Sequence, residues 1–356
     1  MIAAALPARS CGSADFICGA GSRLHDTFPG GTGDVVIAVI KVLLVANFAL
    51  INAGVMVLVW RRMMAFFQDR LGPNRVGVMG SLQWVADGIK LILKEIIIPR
   101  RADRTFFLLA PIIVVFPFIL AYAVIPFSPT GIAADMSIGI LFVLAVTALA
   151  FPGVFMAGWS SNNKYAMIGG MRAVAQIITF EVPLLLSALG VVLFAGSLSM
   201  THIVGAQQNV WFVVPQAIGA AVFLMAAMAE NAAHPFDLPE AESEIVSGYS
   251  TEYSGMAFGL FYLAEFGSTF TIGAVFTTLF LGGYRPLFGI TVIPPVLWFL
   301  AKAYLVFAVM VWARFSLPRF RVDQFLSFGW KVLMPLAFLN LLVAAAELAI
   351  FPHLVA

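Results

Sequence analysis

The sequence predicts an all-α polytopic membrane bundle of about eight transmembrane helices, with one amphipathic helix lying at the membrane interface. Three observations predict it. The 356 residues are 62% hydrophobic and 11% charged, with a mean hydropathy of +0.99, about half the charge of a typical soluble domain. Eight apolar stretches are long enough to cross a hydrocarbon core of ~30 Å. The alternating pattern of a membrane barrel is absent, so helices are the spanning structure that satisfies every backbone N–H and C=O.

In chain order the spans are Val35–Val59, Phe106–Ile125, Ile138–Ala157, Ile177–Phe194, Trp211–Met228, Phe258–Leu281, Val296–Ala313 and Val332–Phe351. No soluble domain remains between them. Residues 1–34 form a tail, and 35–356 a single membrane domain whose loops at 61–105, 158–176, 229–257 and 314–331 share one face. Three of these loops hold fifteen Lys and Arg, against three (Arg9, Arg23, Arg285) on the opposite face. The positive-inside rule then makes the loop-rich face cytoplasmic and puts both termini outside. The fourth loop, 229–257, sits with the basic ones although it carries six carboxylates and no Lys or Arg.

The tail has no positive n-region followed by a 7–15-residue apolar core, so it does not read as a cleaved signal peptide. Its Cys11 and Cys18 either pair on the outer face or remain two thiols in a tail. These two cysteines and four scattered histidines (His25, His202, His234, His353) do not build an iron–sulfur, haem or zinc site of recognised spacing. Gly30-Gly31-Thr32-Gly33 lacks the preceding strand of a phosphate-cradling loop. Any electron carrier therefore belongs to a partner or is lipid-soluble.

Ionisable residues within spans cost about 2.5–3.5 kcal/mol each on insertion scales. They are Lys41, Glu181, Glu265, Lys302 and Glu347, with Glu230 ending the fifth span. Glu181 precedes Val182-Pro183, where a missing N–H frees a carbonyl and favours a kink; a carboxyl beside loosened backbone suits a proton relay. Lys41 and Glu347 lie near helix ends and can snorkel to water.

In the first loop, Arg70-Leu71-Gly72-Pro73-Asn74-Arg75-Val76-Gly77 is turn chemistry, with Pro fixing φ and two glycines free to take φ > 0. Leu82–Glu95 follows as an amphipathic helix with Asp87, Lys90 and Lys94 on one face, a surface anchor by composition. In the acidic loop, Asp237-Leu238-Pro239-Glu240 has the form of a helix start closed by a capping box. That leaves Glu242, Glu244 and Glu252 as a surplus. Carboxylates crowded beside a low-dielectric membrane do not all ionise, so at least one should have a raised pKa.

Several motifs together resemble the H-subunit family of bacterial NADH:quinone oxidoreductase, respiratory complex I. They are Gln68–Gly77, Ala86-Asp87 with Lys90-Leu91 and Lys94-Glu95, Gly158–Ala166, Glu181-Val182-Pro183, Pro235–Glu244, Thr251–Met256 and Leu317–Gln324 with Gly329-Trp330-Lys331. The resemblance runs from about Val35 to Phe351. It implies an eight-helix subunit of the bacterial inner membrane, at the foot of a hydrophilic arm. Partner subunits there would carry the flavin, the iron–sulfur clusters and the rest of the quinone pocket. Small membrane subunits and antiporter-like pumping subunits would lie beyond, with quinone as substrate and no cofactor held by this chain alone. By the family pattern, Glu181, Glu230 and Glu265 match the acids that begin the intramembrane proton path. Asp87, Glu240, Glu242, Glu244 and Glu252 match the loop acids beside the quinone chamber, and Arg61, Arg62, Arg70 and Arg75 fall in its basic entrance region. The same architecture serves energy-converting hydrogenases and formate hydrogenlyases, which use no quinone; the long acidic motif and Gly72–Gly77 favour the quinone enzyme. Two departures stand out: Trp60 where the family has an acid, and Ala233 where it has an arginine, as if an ion pair had been lost from both sides.

Overall fold

The computed structural model describes residues 31–350 apart from 130, 209, 234, 241 and 287–291, with no side-chain detail at 31–38, 242 and 243. Cys11, Cys18, His25, His234, His353 and the Glu242 side chain lie outside this description. All regular structure among the described residues is helical: α1 Gly31–Phe67, α2 Gln83–Leu93, α3 Arg104–Tyr122, α4 Gly139–Ala148, α5 Ala150–Ser160, α6 Lys164–Ala195, α7 Met200–Ala206, α8 Ala217–Glu230, α9 Glu242–Ile245, α10 Gly255–Phe280, α11 Pro295–Ser316, α12 Val322–Phe328 and α13 Met334–Ile350.

Every expected span contains a helix, and several are longer than their apolar stretch. Among the described residues, seven helical segments are long and apolar enough to cross a membrane. The fifth span differs: residues 211–216 form turns, and α8 has 14 residues, about 21 Å at 1.5 Å per residue. Helix α1 continues eight residues past its expected end, because no Gly or Pro interrupts Trp60–Phe67, so Arg61 and Arg62 stand on a helix and not in a loop. Much of the expected 158–176 loop is likewise the start of α6, begun by Asn163, whose side chain accepts from Tyr165 N. α6 runs through Pro183 as one 32-residue helix. The third span is split into α4 and α5 at Leu149, one residue past Ala148, whose carbonyl loses its donor at Pro152.

Helix α10 is the centre of the bundle, packing on α1, α3 and α11, with α2 lying across it. Its buried hydroxyls at Thr271, Thr277 and Thr278 return to the carbonyls four residues earlier, so the polar groups of an enclosed helix are satisfied within it. Asn52 of α1 joins three spans: it donates to Tyr122 of α3 at 3.0 Å and accepts from Tyr304 of α11 at 2.9 Å. Lys302 of α11 is buried but donates to the carbonyls of Leu281, Gly283 and Arg285, just past the C-terminus of α10. An ammonium among terminal carbonyls is a favourable seat, which accounts for this charge structurally. Lys41 is exposed; one carboxylate oxygen of Glu347 is buried without a hydrogen-bond partner.

Candidate functional site

The acidic loop is packed against α6 and does not begin with the expected helix. Residues 235–240 are irregular and only the single turn α9 follows, so Asp237 and Glu240 do not form a capping box. Close backbone contact takes precedence over local capping. A Cβ on Gly169 of α6 would lie 2.7 Å from Tyr249 N and 2.8 Å from Pro239 O, and one on Gly248 (φ +56°) would lie 1.7 Å from Pro239 O. Gln176 of α6, 2% exposed, ties down the start of the loop by donating to the carbonyls of Ala229 and Phe236.

This packing turns the Glu240 side chain inward, where Tyr249 OH donates to it at 2.8 Å. Glu240 then opens, with Glu230 at the end of α8 and Glu265 of α10, into one cavity of about 1100 Å³ counting the space open to the surroundings. Most of the remaining wall is apolar, supplied by residues such as Val114, Phe118 and Phe223, with Thr147, Gln176, Asn231, Tyr249, Ser268 and Thr271 as polar points. Burial pushes the Glu240 carboxyl up to about 8, helped by the charges of Glu265 and Asp237; the Tyr249 hydrogen bond and Arg314 pull it back. Tyr249 itself is raised well above its ordinary value, by burial first and then by Glu240, and so remains a neutral donor.

Glu240 therefore holds its proton at neutral pH and gives it up as pH passes about 8. Between 4.5 and about 8 the folded protein keeps a proton that the unfolded chain releases, so this group's contribution to stability falls as pH rises through that window. Replacing Tyr249 by phenylalanine removes a donor that favours the carboxylate. Proton release from Glu240 is expected to move to higher pH in Tyr249→Phe; an infrared difference titration of the carboxyl bands checks this, and an unmoved or lowered midpoint rejects it.

Among the described residues, the other expected acids Asp87, Glu181, Glu244 and Glu252 do not line this cavity. Glu181 is on α6, within electrostatic range of Glu230. Glu244 pairs with Arg172 at 2.6 Å, Glu252 accepts from Asn163 at 2.5 Å, and Asp87 accepts from Arg61 at 2.5 Å and from Gln83 at 3.1 Å. Asp87 thus fastens the amphipathic helix α2 to α1, while Ile89, Lys90, Ile92 and Leu93 are exposed. Among the basic residues, Arg62 donates to the Met79 carbonyl, Arg70 to Gln68 at 2.8 Å, and Arg75 is exposed. Of the two loop glycines, Gly77 takes positive φ (74°) and Gly72 does not.

Sequence reasoning missed two residues. Arg314 counts as a loop charge in the sequence but belongs to α11, where Nη1 meets Glu265 Oε1 at 2.8 Å. Asn231 donates to Thr269 Oγ1 at 2.5 Å and to the Glu265 carbonyl at 3.2 Å, and accepts from Ser268, so it joins the end of α8 to α10 beside the same acid. The available signal for Arg314 was its setting: Trp312-Ala313-Arg314-Phe315 is an aromatic helix end and not a polar turn. Trp60 and Ala233, the two departures, line one small cavity together with Arg314.

The chain matches the family model described as NADH dehydrogenase over residues 40–345. It is 50% identical over 316 residues, 88% of each chain, to the H subunit of NADH-quinone oxidoreductase from Dehalococcoides mccartyi strain CBDB1. It is 48% identical over 304 residues, 85% of this chain and 91% of the other, to the corresponding H subunits from Bacillus thuringiensis strain Al Hakam and Bacillus anthracis strain CDC 684. A helical membrane bundle with this acid cavity, matched across most of its length, belongs to the NADH dehydrogenase family, alongside the H subunits of NADH-quinone oxidoreductase.

Proposed function

We propose that the chain, as a membrane subunit of NADH-quinone oxidoreductase, forms part of the quinone chamber and the first segment of the path that couples quinone reduction to proton translocation. The observation that carries this reading is the convergence of Glu230, Glu240 and Glu265, from three separate elements, on one largely apolar cavity. Reducing a quinone takes up protons with the electrons. Carboxyls in a low-dielectric cavity can hold and release protons near neutral pH, and their charge states depend on one another. Glu181, in electrostatic range of Glu230, extends the series along α6. On this reading Asp87, Glu244 and Glu252 are paired groups that brace the elements around the chamber without lining it, Glu242 belongs to the same loop, and Arg61, Arg62, Arg70 and Arg75 line its basic approach. The loop-rich face lies on the cytoplasmic side of the inner membrane with both termini outside. Flavin and iron–sulfur clusters sit on hydrophilic-arm partners, and the proton signal passes on to antiporter-like membrane subunits.

The direct test is to purify the assembly through a tag on this chain and record its partners, flavin and iron–sulfur spectra, and NADH:quinone activity sensitive to quinone-site inhibitors. A nickel–iron partner without flavin would overturn the quinone reading in favour of a hydrogenase.

Sharing of one cavity by Trp60 and Ala233 supports joint loss of an ion pair, since losing both partners leaves no buried charge unpaired. Ala233→Arg alone is expected to lower assembled complex severalfold, and adding Trp60→Glu to restore part of it, read by native gels of solubilised membranes. No recovery in the double variant sinks the idea.

A further inference from the structure

The Arg314–Glu265 ion pair stands between two cavities: Glu265 lines the large acid cavity, and Arg314 a much smaller one. Trp60 of α1 lies against Arg314 and against the aromatic neighbours of both members of the pair. The guanidinium carbon of Arg314 lies 5.3 Å from the indole ring centroid. The ring also packs on Phe266, next to Glu265, at 5.3 Å, and on Phe315, next to Arg314, at 5.9 Å. The indole N–H is buried with no hydrogen-bond partner, so the ring is held by its faces and edges.

We propose that Trp60 is a positioning residue for the proton path: its ring face supplies Arg314 with a second, non-titrating seat, so that the guanidinium stays in register when Glu265 takes up a proton. The inference rests on the reading that Glu265 carries protons. A guanidinium whose carboxylate partner becomes neutral loses its nearest countercharge in a low-dielectric site. The next carboxylates acting on Arg314 are Asp237 and Glu240 of the acidic loop, and movement toward them would carry the charge from the small cavity into the large one. The attraction of an aromatic face for a cation does not depend on pH in this range. The ring therefore keeps Arg314 within reach of Glu265 through both protonation states, and the pair can re-form when Glu265 releases its proton.

The test uses the whole complex in native membranes, with quinone-coupled NADH oxidation normalised to NADH oxidation by an artificial acceptor. Trp60→Met fills space without an aromatic face and should lower coupled turnover about three- to tenfold; Trp60→Phe keeps a face and should lose less, about twofold. In a Glu265→Gln background, Trp60→Met should add less than about twofold, because the two residues act through one guanidinium. Equal losses in the Met and Phe variants, or losses that multiply in the double variant, overturn the proposal and leave Trp60 as packing. A Glu265→Gln variant with normal coupled turnover overturns the proton-path reading and this inference together.

Discussion

Arg314→Leu is expected to lower quinone-coupled turnover per assembled complex by at least about tenfold, and to reduce the amount assembled. The Arg314 and Glu265 side chains are 20% and 14% exposed, so water does not screen the pair as it screens a surface ion pair. Removing one member of a buried pair costs about 3–5 kcal/mol where burial is complete; at these exposures about 2–3 kcal/mol is the expected scale. The loss falls on Glu265, which would face the cavity with its charge uncompensated and with Glu230 and Glu240 on the same walls. Arg314→Lys keeps the charge but loses the planar group that meets both a carboxylate and a ring face, and should fall between wild type and Leu. Initial rates in inverted membrane vesicles, normalised to complex content, measure this series; wild-type turnover in Arg314→Leu rejects a working role for the pair.

Gly248→Ala is expected to be nearly as damaging through a different cause. The residue has φ +56°, and an added Cβ would meet Pro239 O at 1.7 Å and Pro239 C at 2.8 Å. Backbone must move, and a non-glycine residue in the left-handed region adds about 1 kcal/mol or more. Displacing this turn separates Tyr249 from Glu240 and lifts the loop from Gly169 of α6. The expected result is loss of most assembled complex or of its coupled activity, with increased proteolysis between residues 235 and 254. Gly205→Ala, in α7 where an added Cβ meets nothing within 4 Å, is the control. If the two variants assemble and turn over alike, the close packing of the acidic loop is not what holds Glu240 in place.

The spans were legible in the sequence because hydropathy and length are local properties. Their ends were less so. Arg61, Arg62 and Arg314 count as loop charges in any window, yet helix hydrogen bonding continues through them wherever Gly or Pro does not intervene. The acidic loop shows the larger limit. A capping-box pattern at Asp237 and Glu240 is a local preference worth about 1 kcal/mol, and it gives way to long-range contacts with Gly169 and Gln176 that no spacing rule encodes. As a result the division of the acids is reversed: Glu240, which reads as a structural cap, faces the cavity, while Glu244 and Glu252 of the apparent surplus are bonded to Arg172 and Asn163. Glu230 and Glu265 could be singled out because an acid in an apolar span is costly wherever it points. Arg314, which pairs with the Glu265 carboxylate, and Asn231, which ties the end of α8 to α10 beside it, carry no such signal.

The coupling role of the three cavity acids is tested most directly by NADH-driven proton uptake into inverted vesicles carrying Glu240→Gln, Glu265→Gln or Glu244→Gln, with NADH oxidation by an artificial acceptor as reference. Glu240→Gln and Glu265→Gln should each lower proton uptake and quinone turnover at least about tenfold with the reference rate per complex retained. Glu244→Gln, which gives up only an ion pair to a carboxylate side chain 41% exposed, should change them less than about twofold. Wild-type proton uptake in either Glu240→Gln or Glu265→Gln would contradict the account.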